Sequence, residues 1–254
     1  MTGASQGIGA AAAETLARRG AVVLLVARSA EALESVVERV SHFGGRAVAL
    51  PADLTDVDQI RTLAERVVAE YGAPDVLVNN AGAGRWLFLD DTPADELAAM
   101  TALPFGAALR LTREFLPGMR QRGSGWVVNV NSPVSRLPIP GATGYAAARY
   151  ALRGLTAALR QDLRGTGVGV SEVVPGKVSS RYFVNNPGAE ERIPGVARLI
   201  PTVTPERVAR EIAFVVERER AERVFPWQLK AFEVFGRVLP GVAGYLTWRT
   251  GVHR

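Results

Sequence analysis

Hydrophobic positions along the chain follow two periods in turn. Nearly continuous apolar runs at 21–27, 47–50, 75–78, 127–130 and 168–174 suit strands buried on both faces of a parallel sheet. Between them, apolar residues recur at helical spacing. The predicted helices cover 8–19, closed by Gly20; 30–42, capped by Ser29; from Thr55 or Asp56 to Tyr71; from Thr92-Pro93-Ala94-Asp95 to about Arg122, interrupted at Pro104 and Gly106; 145–164; and from Thr204-Pro205-Glu206 to about Arg218. A strand–helix rhythm of this kind predicts an α/β fold with a doubly wound parallel sheet in a single domain. Residues 177–203 lack periodicity and read as a mobile loop over the site.

Past about residue 225 the pattern changes. In the segment 226–254, Phe232, Phe235, Leu239, Val242 and Leu246 fall on one helical face, broken by Pro240 and Gly241. This extension fits a substrate lid or a subunit contact ahead of docking on a membrane surface, and it is too short and interrupted to span one. Residues 1–225 form the main unit.

Composition narrows the chemistry. The chain has 254 residues, no cysteine and only two histidines, His42 and His253. Thiolate chemistry, a sulfur-ligated metal and a Ser-His-Asp triad are therefore excluded or nearly so, and no metal site is expected. The net charge is +5, carried almost entirely by arginine, with no basic run interleaved with aromatics. Nucleic acid is not an expected partner. No signal peptide is visible, which makes the cytoplasm the default location.

Three places can carry chemistry. The opening stretch Thr2-Gly3-Ala4-Ser5-Gln6-Gly7-Ile8-Gly9 is a glycine-rich turn feeding a helix. Such a turn lets a phosphate approach without Cβ collisions and presents it to free N–H groups and the positive helix end. Arg28 follows the first apolar run, where an NAD-binding protein needs an acid for the ribose 2′-hydroxyl; a guanidinium there suits a 2′-phosphate instead. Ser132 ends a strand. Tyr145 starts a helix thirteen positions on, and Arg149 lies one turn further on the same face. A phenol beside a fixed cation works as a general acid or base, and a neighbouring hydroxyl can hold a carbonyl or alcohol oxygen.

In order, the opening glycine turn, Asp53-Leu54, Asn79-Asn80-Ala81-Gly82, Ser132, Tyr145-Ala-Ala-Ala-Arg149 and Pro175-Gly176 resemble the short-chain dehydrogenase/reductase family. The resemblance implies a Rossmann-type sheet of about seven strands, a nicotinamide cofactor, and hydride transfer between it and a carbonyl or alcohol, here a hydrophobic one. Gly3, Ser5, Gln6, Gly7, Ile8 and Gly9 would contact pyrophosphate and adenosine ribose. Asp53 and Leu54 would lie along the adenine, Asn80 near the nicotinamide ribose and Val178 near the carboxamide. Ser132 would orient the substrate oxygen, Tyr145 would pass the proton and Arg149 would supply the supporting charge. With Arg28 present, NADP(H) is expected over NAD(H). Family members are often built as dimers or tetramers on their long helices, so a homodimer or homotetramer is expected.

Three departures qualify this. The family has lysine where Arg149 stands, and the two are not interchangeable in shape. It usually has an asparagine where Pro104 stands, or Leu103 if the count shifts by one; neither can hold a relay water through its side chain. Finally, the family's central first strand precedes Thr-Gly, where this sequence has only Met1. That strand is apparently missing from this chain, and the biological chain is expected to begin upstream. The first two departures keep an alternative open: a cofactor-binding protein of this type with little turnover, acting as a sensor or interaction partner.

Overall fold

The computed structural model describes residues 1–82 and 84–253. Its helices are α1 (Gly7–Ala17), α2 (Ala30–Ser41), α3 (Val57–Tyr71), α4 (Ala94–Thr101), α5 (Ala108–Arg122), α6 (Thr143–Asp162), α7 (Tyr182–Asn185), α8 (Pro205–Glu217), α9 (Trp227–Val238) and α10 (Pro240–Arg249). Its strands are β1 (Val22–Ala27), β2 (Arg46–Pro51), β3 (Val76–Asn79), β4 (Gly125–Val130), β5 (Val168–Pro175) and β6 (Glu222–Phe225). Every strand pair is parallel, in two groups, β1–β2 and β3–β4–β5–β6. Met1 and Thr2 link the groups. The Met1 carbonyl accepts from Val26 N–H at 2.9 Å, and Thr2 N–H donates to the Val78 carbonyl at 3.0 Å.

The two sheet faces are covered by different helices. Val23, Leu25, Val78, Val128, Val130 and Val173 pack with α1, α2 and α8. Alternate residues Val26, Leu77, Val127 and Val170 pack with α3, α5 and the end of α6. Both faces are thus buried, which is why the strands read as unbroken apolar runs. The side chains of Ser29, Asp56 and Thr204 cap α2, α3 and α8.

Four expectations need correction. Strand β6 was not anticipated. Among the described residues six strands, plus the Thr2 bridge to Val26, stand where about seven were expected. The stretch 177–203 contains α7 and a 3-10 turn at Gly195–Leu199. The single apolar face expected on the extension is divided at Leu239, where the chain turns from α9 into α10; Phe232 and Phe235 are half-buried while Leu239 and Val242 are exposed. The interruption at Pro104 takes a specific form: residues Ala102–Ala107 form a π-helical segment joining α4 to α5. A proline without an N–H leaves one carbonyl of the normal ladder free, and a wider turn accommodates it.

Candidate active site

The ends of five parallel strands converge on one cleft of about 940 Å³. Arg28 follows β1, Asp53 and Leu54 follow β2, Asn80 follows β3, Ser132 follows β4 and Val178 follows β5, and all line it. Gly3, Ser5, Gln6, Gly7 and Ile8 form one wall, and Tyr145 and Arg149 of α6 reach in from another. Gly9 does not line the cleft. It is buried against the turn, where an added Cβ would lie 2.0 Å from the Gly3 carbonyl oxygen.

The glycine turn fits a dinucleotide phosphate. Gly3 and Gly7 adopt φ of +63° and +54°, a region only glycine enters freely. Gln6 places no capping side chain on the start of α1, so the first N–H groups of that helix face the cleft as donors. The turn is pinned from β3: Asn80 Nδ2 donates to the carbonyls of Thr2 (3.1 Å) and Gly3 (3.3 Å), while the N–H groups of Asn80 and Ala81 donate to Thr2 Oγ1.

At the adenosine end Arg28 is exposed on the lip. Asp53 is turned away into a local turn, its Oδ1 accepting from Thr55 N–H (2.9 Å) and Thr55 Oγ1 (2.8 Å). Those bonds, with a smaller contribution from the Arg28 charge, hold its carboxyl below the usual range despite partial desolvation.

At the other end Tyr145 is buried, and the Arg149 guanidinium sits 5.0 Å from its ring centroid. Arg149 Nη1 donates to the Val130 carbonyl at 3.0 Å, and its Nε is buried without a hydrogen-bond partner among the described residues. Its Nη2 crosses Gly82, where an added Cβ would come within 2.5 Å. The longer side chain therefore fits because a glycine lies opposite. Ser132 is positioned through its backbone. Its N–H donates to Asn131 Oδ1 (2.9 Å), and its carbonyl accepts from Ser135 Oγ (2.7 Å). Pro104 does not line the cleft, whereas Leu103 does.

Two groups of residues were not anticipated. Trp86, Tyr182 and Phe183 pack around Tyr145, with ring centroids 5.6 Å (Trp86–Tyr145) and 6.3 Å (Tyr145–Tyr182) apart. Tyr182 OH donates to the Gly84 carbonyl and accepts from Trp86 Nε1; burial, then the neighbouring Tyr145, pushes its phenol up. The second group lies behind Ser132. Asn131 Nδ2 donates to Glu172 Oε1 (2.6 Å) and to the Arg149 carbonyl (3.1 Å). Glu172 in turn meets Arg136, which also binds Glu222 and Glu233. A glutamate inside an apolar strand was the visible sequence signal that a buried cation must face it.

The short chain dehydrogenase family model matches residues 1–190. Ketoacyl reductase HetN from Nostoc sp. is 33% identical over 227 residues, 87% of this chain and 76% of that protein. A metagenomic short-chain oxidoreductase solved in complex with NADP superposes with a TM-score of 0.75 at 32% identity, covering 89% of this chain and 94% of the other. A short-chain dehydrogenase from Sphingobium yanoikuyae in complex with NADPH gives 0.82 at 26%, covering 95% and 93%. Some other curated relatives are longer; this chain spans 43% of their length.

Proposed function

The chain belongs to the short-chain dehydrogenase/reductase family, and from that premise we propose that it is an NADP(H)-dependent oxidoreductase interconverting a hydrophobic carbonyl compound and its alcohol. One observation carries the reading: Ser132, Tyr145 and Arg149 share a single cleft with the phosphate-accepting turn Gly3–Ile8.

Bound NADPH supplies the hydride; the chain supplies the rest. Gly3 to Ile8 and the start of α1 hold the pyrophosphate, and Asn80, Asp53, Leu54 and Val178 line the cofactor's path. Arg28 binds the 2′-phosphate; that related proteins are solved in complex with NADP and NADPH supports the choice of cofactor. Ser132 Oγ orients the substrate oxygen and Tyr145 OH exchanges its proton with it. The Arg149 charge, 5.0 Å from the phenol ring, stabilises the negative charge that develops on that oxygen. The apolar side of the cleft, with Trp86, Leu137, Ile139, Phe183 and Phe232, matches a hydrophobic substrate and excludes water from the reacting atoms. The small-molecule substrate enters a protein expected in the cytoplasm as a homodimer or homotetramer.

The test is NADPH consumption followed by absorbance over a panel of hydrophobic ketones, with NADPH binding measured separately by fluorescence. Tyr145→Phe is expected to lower kcat at least 100-fold, the scale of a lost general acid, while NADPH affinity stays within about threefold. Unchanged turnover in that variant would remove Tyr145 from the mechanism. A second reading, cofactor binding with little turnover, is favoured by the orphaned Nε of Arg149; tight NADPH binding without consumption of any ketone would select it.

A further inference from the structure

Asn131 stands between the last residue of β4 and Ser132, and it is 4% exposed. Its own N–H continues the sheet ladder, donating to the Val173 carbonyl of β5 at 2.8 Å. Both hydrogens and the oxygen of its side-chain amide are in use. Oδ1 accepts from Ser132 N–H at 2.9 Å. Nδ2 donates to the Arg149 carbonyl at 3.1 Å and to Glu172 Oε1 at 2.6 Å. One orientation alone serves these three partners, because a flipped amide would set its oxygen against two acceptors and its nitrogen against a donor. Glu172 lies buried on β5 and is held in turn by Arg136, so the amide is braced from behind.

These bonds form a reciprocal link between the end of β4 and α6. The Arg149 side chain donates to the Val130 carbonyl at 3.0 Å, while the Arg149 carbonyl accepts from Asn131. One turn on, Arg153 Nη1 donates to the Ser135 carbonyl at 3.1 Å. Tyr145 lies one turn before Arg149 on the same helix. The Asn131 amide thus sets where Ser132 stands relative to the phenol and the cation. An amide and a carboxylate buried beside a sheet carry a desolvation cost that an apolar pair would avoid. What they supply is fixed geometry at a site that needs its groups held to within a fraction of an ångström. We propose that Asn131, braced by Glu172, is a positioning residue for the reaction, locking Ser132 to the part of α6 that carries Tyr145 and Arg149. This role rests on the oxidoreductase reading given above.

The test uses two variants of the full chain. Asn131→Asp keeps the shape but puts an oxygen where Nδ2 stood, facing Glu172 and the Arg149 carbonyl. Asn131→Ala removes the link without adding a charge, and carries the test if the aspartate variant does not fold. Ketone reduction is followed at saturating NADPH, and the affinity and number of NADPH sites are measured by fluorescence titration. We expect kcat to fall about 100-fold in Asn131→Asp and at least about tenfold in Asn131→Ala, the scale of misplacing reacting groups by about 1 Å. NADPH affinity should stay within about threefold and the number of sites should be unchanged, while the isotope effect from deuterated NADPH rises as hydride transfer becomes the slow step. A merely structural role would lower kcat only in proportion to the NADPH sites lost. That pattern, or a kcat in the folded variants within about threefold of wild type, overturns the proposal and leaves the enzymatic reading standing. A wild-type protein that binds NADPH and reduces no ketone refutes the enzymatic reading itself, and this role with it.

Discussion

Replacing Arg136 by methionine tests whether the buried charges behind the cleft hold it together. The Arg136 side chain is 4% exposed and binds Glu172 at 2.5 Å, Glu233 at 2.7 Å and Glu222 at 2.8 Å. Glu172 and Glu233 are themselves buried. Methionine fills similar volume but leaves Glu172, among the described residues, with only the Asn131 amide, while Glu233 keeps Lys230 and Arg237. Stripping one partner from a buried ion pair costs about 3–5 kcal/mol, because the remaining charge loses compensation. In a chain of this size each kcal/mol shifts Tm by about 2–4 °C, so a fall of about 6–20 °C is expected by calorimetry or circular dichroism. The loss should also reach the cleft, since Asn131 joins Glu172 to the Ser132 N–H and to the Arg149 carbonyl; kcat should fall in protein still folded at the assay temperature. Adding Glu172→Gln and Glu233→Gln removes the unanswered charges and should recover most of the stability. A drop in Tm under about 2 °C for Arg136→Met would refute the assignment of stability to this cluster, as would a triple variant no more stable than the single one.

Arg28→Ala should raise KM for NADPH about 10- to 100-fold, the value of a charge-assisted contact of about 1.5–3 kcal/mol, with NADH little affected; steady-state kinetics with both cofactors checks it. Gly9→Ala would place a Cβ 2.0 Å from the Gly3 carbonyl oxygen and 2.9 Å from Ala4 Cα. Both are backbone atoms, so the phosphate turn must move: NADPH affinity measured by fluorescence titration should fall more than tenfold, with a cost of about 1–3 kcal/mol in stability. Acid should loosen α9. Burial alone would raise the Glu222 carboxyl, but its hydrogen bond to Lys230 and the Arg136 charge overcome this and hold it below the ordinary value. A carboxyl lowered in the folded state contributes stability that is present above the unfolded value of about 4.3 and lost as pH falls through the folded value. Fluorescence of Trp227, which begins α9, should therefore change below about pH 4, before global unfolding by circular dichroism.

Most of the fold was legible because a doubly wound sheet buries its strands on both faces, so each strand announces itself as an apolar run. Strand β6 escaped for the same reason in reverse. Its first two residues are Glu222 and Arg223, whose charges are met sideways by Arg136 and Lys230 and by Glu211, and no apolar run results. The strand-end members of the cleft were legible too, since residues at the C-terminal ends of parallel strands converge whatever their distance in sequence, whereas Gly9 does not line it and Trp86, Tyr182 and Phe183 went unseen. Side-chain direction was not. Asp53 lies in the expected place, yet Thr55 holds its carboxylate in a local turn. Arg149 has the expected face of α6, yet its length carries the guanidinium to the Val130 carbonyl and over Gly82. Tyr182 and Phe183 sit in a stretch without periodicity, and the approach of Tyr182 to Tyr145 depends on its hydrogen bonds with Trp86 and Gly84 nearly a hundred residues away. What the pattern of residue types cannot encode is the partner of each polar group: Glu172 demanded a buried cation, but choosing Arg136 among so many arginines required the packing of β5, β6 and α9 around it.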